Sequence, residues 1–333
     1  MTDRQRATMP PVRGLKDLWL RRVRRAPPGA GVQSWMAERI MLDALGLGIE
    51  QTASYFGRTP PDYDTFRAWI VATAGTPDEE RLARYHAWLD GAAPPAAVRR
   101  RLAAIDAAPP ALGPDDLGRW RSEGYAILRN AISAEEAAAA ADVLWRHLGA
   151  SPDDPATWYA PNGHGVMVQL FQHPALEAAR GSARIHKAFA QLWGTADLWA
   201  TTDRMSFNPP ETVDRPFPGP HLHWDVSLVP PIPLATQAIL YLTDTSADQG
   251  ALTLVPGFHR RIEAWLASLP AGADPRSQDL SAEARPIAAG AGDLIIWHQA
   301  LPHGASPNRS VRPRLAQYVN MYSPQWQRQE GWR

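Results

Sequence analysis

From about residue 165 onward the chain is cut into short β-like runs: "VMVQLFQ", "DRMSFN", "HLHWDVSLV", "QAILYLT", "GALTLV", "DLIIWHQ" and "RLAQYVNMY". Pro, Gly, Asn and Asp turns divide them, and this pattern restricts the fold more than any other feature. Short strands with turn signals between them predict an antiparallel barrel or a two-sheet jelly roll rather than βαβ repeats. Before residue 110 the periodicity is helical instead. "TPDEERLARYHAWLDG" (76–91) predicts a helix with Thr76 as N-cap, Pro77 in the first turn, Glu79 completing a capping box and Gly91 as the stop. Segments 33–48 and 95–109 read likewise, and the first 30 or so residues, with "RRVRRAPPGAG", are expected to be an exposed basic arm. "APPALGPDD" (108–116) marks a boundary. The predicted organisation is a helical N-terminal extension over 1–112 and a β-rich domain over 113–333. That domain opens with the strand "GYAILRNAI" and a helix over 133–149 capped by Ser133 and Glu136.

Composition removes several functions. Lys and Arg number 34 against 34 Asp and Glu, so no global field favours nucleic acid or an anionic membrane. With no cysteine there is no thiolate nucleophile, disulfide or zinc-thiolate knot. No stretch approaches 18 apolar residues and the N-terminus carries no apolar signal core, so a soluble cytoplasmic protein is expected. No H-E-x-x-H, G-x-S-x-G or P-loop is present. Catalysis would therefore come from His, carboxylates, Arg or a metal.

In "HLHWDVSLV" the polar residues His221, His223 and Asp225 alternate, and on a strand all three would point to one face. His223-Trp224-Asp225 is the chain's single H-x-D. Its spacing presents an imidazole and a carboxylate to one point, two ligands of a 2-His-1-carboxylate triad on non-haem iron. A solvated face is the plain alternative. A third ligand is available in "GDLIIWHQALPHGASPNRSVRPRLAQYVNMY", where His303 precedes a turn and Arg314 begins an apolar strand. A cation buried there needs a partner, which a dicarboxylate co-substrate would supply through a bidentate contact.

Taken together, "GYAILRNAISAEE", H-W-D at 223–225, "DQGALTLVPGFH" and "HGASPNRSVRPR" resemble the phytanoyl-CoA dioxygenase family of Fe(II)/2-oxoglutarate oxygenases, over about residues 115–322. The resemblance implies a double-stranded β-helix, a cupin-like jelly roll, as the core. It implies Fe(II) held by His223, Asp225 and His303, with Arg314, eleven residues beyond His303, gripping 2-oxoglutarate; O2 is the other co-substrate. Halogenating relatives lack the carboxylate, so Asp225 argues for hydroxylation of a small metabolite or natural-product intermediate with release of succinate and CO2. Desaturation, epimerisation or cyclisation by the same oxidant is the alternative, and a cupin-like binding protein is the non-enzyme one. Candidate substrate contacts are His221, Trp224, Asn208, Gln169 and Trp297; for the two tryptophans core packing competes. Asn208 stands where many relatives have a lysine. No basic cluster suggests a CoA clamp. The N-terminal helices are left as a lid, a homodimer contact or a carrier-protein contact.

Overall fold

The computed structural model describes residues 9–25, 32–57, 60–159, 165–327, 329 and 331–333. Among these lie the strands β1 (Tyr125–Leu128), β2 (Met167–Val168), β3 (Trp199–Ala200), β4 (Met205–Asn208), β5 (Thr236–Tyr241), β6 (Leu252–Leu254), β7 (Arg285–Pro286), β8 (Leu294–His298), β9 (His303–Ala305), β10 (Arg314–Tyr318) and β11 (Met321–Tyr322). Helices α1 (Leu15–Val23), α2 (Val32–Ala44), α3 (Ile49–Phe56), α4 (Tyr63–Ala74), α5 (Glu79–Leu89), α6 (Ala96–Ala107) and α7 (Pro114–Glu123) precede β1. Later come α8 (Ala134–Leu148), α9 (Pro174–Gly181), α10 (Ala183–Trp193) and α11 (Ile262–Ser268). The protein is thus a mixed helix-and-sheet fold whose sheets are antiparallel.

Six strands form one sheet in the order β1-β8-β5-β10-β4-β2, and β7-β6-β9 form a second. Period-two alternation sorts the large sheet's side chains between two cores. Leu294 and Ile296, Ala238 and Leu240, and Leu315 face one core with Ala140 and Leu144 of α8, Leu176 of α9 and Phe189 of α10. Ile295 and Trp297, Ile239 and Tyr241, and Ala316 face the other with Leu252 and Leu254 of the small sheet. Both faces are covered, so the strands are apolar on both sides, unlike a half-solvated antiparallel sheet.

The helices before β1 build a separate core. Leu15 and Leu18 of α1, Met36 and Ile40 of α2, Phe66 and Ile70 of α4, and Leu82 and Tyr85 of α5 pack together and onto Trp199 and Tyr322 of the β3–β11 pair. The expected basic arm is therefore partly wrong. Leu15 and Leu18 bury α1, while Arg21 and Arg22 pair with Glu38 of α2; the rest of the expected arm, 1–8 and 26–31, lies outside the described residues. Over 76–91 the helix starts later than predicted. Asp78, not Thr76, caps it, because its carboxylate reaches the Arg81 N–H at 2.7 Å, the bond an N-cap exists to make. Over 133–149 the predicted box is present, with Ser133 and Glu136 exchanging bonds of 3.1 and 2.8 Å. No helix among the described residues is long and apolar enough to cross a membrane.

Candidate metal centre and its cavity

His303 opens β9, which pairs with β6 in the small sheet. Its backbone also exchanges two hydrogen bonds with His223, of 2.9 and 3.0 Å, which fixes the segment 221–225 against the sheet edge. The predicted strand through "HLHWDVSLV" does not form. His223 makes a single bridge and the chain then bends. Instead of a ladder, the carbonyls of Trp224 and Val226 accept from the Arg276 guanidinium, both at 2.6 Å. Gly304 permits the close approach on the other side. A Cβ there would sit 2.6 Å from the His221 carbonyl oxygen and 2.8 Å from that of Pro220.

The result brings His223, Asp225 and His303 together, with one ligand atom from each within 4.8 Å of the others. Asp225 lies between the imidazoles, Oδ1 at 3.4 Å from His223 Nε2 and Oδ2 at 3.1 Å from His303 Nε2. On the far side of each ring, Nδ1 faces a carbonyl, that of His221 at 2.7 Å and that of Leu301 at 3.2 Å. A carbonyl only accepts, so each Nδ1 carries the proton and each Nε2 is left as the donor atom for a metal. Burial raises the Asp225 carboxyl, but the bonds and charges of the two imidazoles outweigh it and hold it well below the usual carboxylate range. Burial depresses His223, and its bond to Asp225 outweighs that, for a net rise. Two nitrogens and a carboxylate on one side, with the opposite side open to a cavity, fit Fe(II).

Gln237, at the start of β5, donates to Asp225 Oδ2 at 2.6 Å and orients the carboxylate. No sequence signal pointed to it, because an amide twelve residues on, in β5, has no motif.

Arg314 opens β10 in register with Asn208 of β4, on the face turned toward the small sheet. It is 1% exposed. Its guanidinium donates to the Ser206 hydroxyl at 2.8 Å, while Nε has no partner and no carboxylate lies within ion-pair distance among the described residues. A buried cation with one neutral hydrogen bond is costly, and a carboxylate ligand would relieve that cost.

The same cavity, about 580 Å³, is lined by His223, Asp225, Gln237, Trp297, His303 and Arg314. Of the predicted substrate contacts only Trp297 reaches it, its ring 5.3 Å from that of His303. Trp224 turns into the core instead, its indole N–H on the Ala300 carbonyl at 3.0 Å. His221 is exposed against Phe217, since its segment does not alternate as a strand, and serves the site through its carbonyl. Asn208 is buried with its amide on the Ser306 carbonyl at 3.1 Å, and it borders a different, smaller pocket. Gln169 is half-buried after β2 and does not line the cavity, because that strand ends after two residues.

The phytanoyl-CoA dioxygenase (PhyH) family model matches residues 120–316. A protein described as a putative phytanoyl-CoA dioxygenase from Dictyostelium discoideum is 28% identical over 95 residues, 27% of this chain and 27% of its own, so the chain spans about a quarter of that relative. Ava biosynthesis cluster protein O of Aspergillus versicolor is 24% identical over 241 residues, 61% of this chain and 77% of that one. Among solved structures, the non-haem alpha-ketoglutarate-dependent carbocyclase SnoK from nogalamycin biosynthesis aligns over 65% of this chain and 90% of its own, with a TM-score of 0.46 and 20% identity.

Proposed function

From the premise that this chain belongs to the phytanoyl-CoA dioxygenase family of Fe(II)/2-oxoglutarate oxygenases, we propose that it hydroxylates an unactivated C–H bond of a small metabolite or natural-product intermediate. His223, Asp225 and His303 are the iron ligands in this reading, and Arg314 grips the carboxylate of 2-oxoglutarate remote from its keto group. The two facing sheets are read as a double-stranded β-helix, with 113–333 as the catalytic domain. The observation that carries the proposal is the pairing, in one cavity, of a His-Asp-His cluster with a buried guanidinium that has no carboxylate.

Iron and 2-oxoglutarate, when bound, supply the oxidant, with release of succinate and CO2. The protein's own residues do the rest. The carbonyls of His221 and Leu301 hold Nδ1 as the N–H of each ring and aim each Nε2 at the site. Gln237 donates to Oδ2 of Asp225 and orients the carboxylate that would help hold the iron. Ile239, Leu252 and Trp297 give the cavity apolar walls beside the His-Asp-His cluster. Because Asp225 fills the carboxylate position, no ligand site is vacated for a halide. Desaturation, epimerisation and cyclisation draw on the same oxidant and are the competing outcomes.

Anaerobic calorimetry with Fe(II) tests the ligand assignment. The metal-free protein is expected to bind one equivalent, and Asp225→Ala to bind at least about tenfold more weakly. Equal binding by both would remove Asp225, and with it the triad, from the proposal.

A further inference from the structure

The cavity does not end at the metal centre. It runs on to Trp35, Arg39 and Asp43 of α2 and to Tyr322 and Trp326 beyond β10. Arg39 is half-buried there. Its guanidinium carbon lies 3.8 Å from the ring centroid of Tyr322 and 5.3 Å from that of Trp35, and Trp35 in turn lies 5.6 Å from Trp326. Of the other arginines lining the cavity, Arg204 pairs with Asp203 at 3.6 Å and Arg314 donates to the Ser206 hydroxyl at 2.8 Å. Arg39 has no hydrogen bond or ion pair among the described residues, and its Nε is sealed without a partner.

Asp43, one turn along α2, is the obvious competitor for Arg39. Its oxygens are committed elsewhere, to the Thr202 N–H at 2.9 Å and the Tyr322 hydroxyl at 2.8 Å. Asp43 therefore moderates the field of Arg39 without using its donors. A guanidinium set over an aromatic face makes no hydrogen bond with the ring and keeps N–H donors for a carboxylate.

We propose that Arg39, framed by Trp35, Tyr322 and Trp326, binds the end of the primary substrate remote from the iron, and that this end is a carboxylate on a flat, apolar body. The indole and phenol faces supply the walls for the body, and α2 becomes part of the substrate site. The proposal rests on the oxygenase reading above and names the substrate class for it.

The test uses the full chain loaded anaerobically with Fe(II) and saturating 2-oxoglutarate, so that Arg314 is already occupied. Indole-3-acetate and its neutral isostere indole-3-acetamide are titrated in by calorimetry, while the visible band of the chelated keto acid reports loading. The acid is expected to bind about tenfold more tightly than the amide or better. Arg39→Gln should bring the acid down to the amide's affinity with the band unchanged, and Arg39→Lys should keep part of the preference. Equal binding of acid and amide, no binding of either, or a preference that survives Arg39→Gln would overturn the subsite. A loaded band without the preference sinks the subsite alone; no band in the wild-type protein sinks the oxygenase reading.

Discussion

Arg314 and Gln237 both act on the site from strands of the large sheet, yet their sequence signatures differ. Arg314 stands eleven residues beyond His303 in one turn-containing segment, the spacing the family resemblance implies, and that resemblance singled it out. Gln237 of β5 touches Asp225 in a bend of another segment, and Ser206, the hydroxyl under Arg314, lies 108 positions away; neither relation leaves a local trace. The buried guanidinium of Arg314 also has a consequence for stability. Without 2-oxoglutarate it is a desolvated charge with one neutral hydrogen bond, and such a charge costs folding free energy. Arg314→Met is therefore expected to raise the melting temperature of the ligand-free protein by a few °C, and to shrink the further rise that 2-oxoglutarate adds to the Fe(II)-loaded wild type. Differential scanning calorimetry with and without both ligands checks it. A lower melting temperature in the ligand-free variant would make Arg314 a structural residue instead.

At the scale of elements, helices were the more legible part. Spacing placed α2, α5, α6 and α8 to within a few residues, because a buried stripe and a cap are local properties. β8 and β10 were equally legible as apolar runs. The segment 221–229 was not, since alternation of His221, His223 and Asp225 looks the same whether or not neighbouring backbone is available to pair. Here Arg276, fifty residues on, takes the carbonyls that a ladder would use. The two ligands of that segment converge on His303 through one bridge and the bare Cα of Gly304. Gly304→Ala would force a methyl group against the carbonyls of Pro220 and His221 and push the segment off β9. The expected outcome is a folded protein with Fe(II) affinity reduced about tenfold or more, measured by calorimetry; unchanged affinity would mean the site tolerates that displacement.

For the molecule as a whole, half-buried His298 and buried Asp43 set opposite pH slopes. Burial, helped by the neighbouring His259, depresses His298 from its ordinary 6.5 to about 4. The unfolded chain then takes up a proton that the folded protein refuses, so stability falls as pH drops from 6.5 toward 4, by up to about 3 kcal/mol. Burial raises Asp43 from 3.8 to about 6 against the pull of Arg39. The folded protein holds that proton longer, so stability falls as pH rises through the same window. Urea midpoints at pH 7.5 and 5 should separate the two contributions. His298→Gln is expected to lose less stability on acidification than the wild type, and an unchanged or steeper loss would contradict the assignment. Of the helices before β1, α2 lines the same cavity as His223, Asp225 and His303. Periodicity reports which face of a helix is buried but not what it is buried against, which is why this role was not legible.

The central claim is that one cavity binds iron through His223, Asp225 and His303 and 2-oxoglutarate through Arg314. An anaerobic titration of the metal-free protein with Fe(II) and then 2-oxoglutarate tests it most directly, through the weak visible charge-transfer band of a chelated keto acid. The band is expected in the wild type, absent in His223→Ala, and formed in Arg314→Gln only at on the order of 100-fold more 2-oxoglutarate. A folded, iron-loaded wild-type protein that shows no band would contradict the claim.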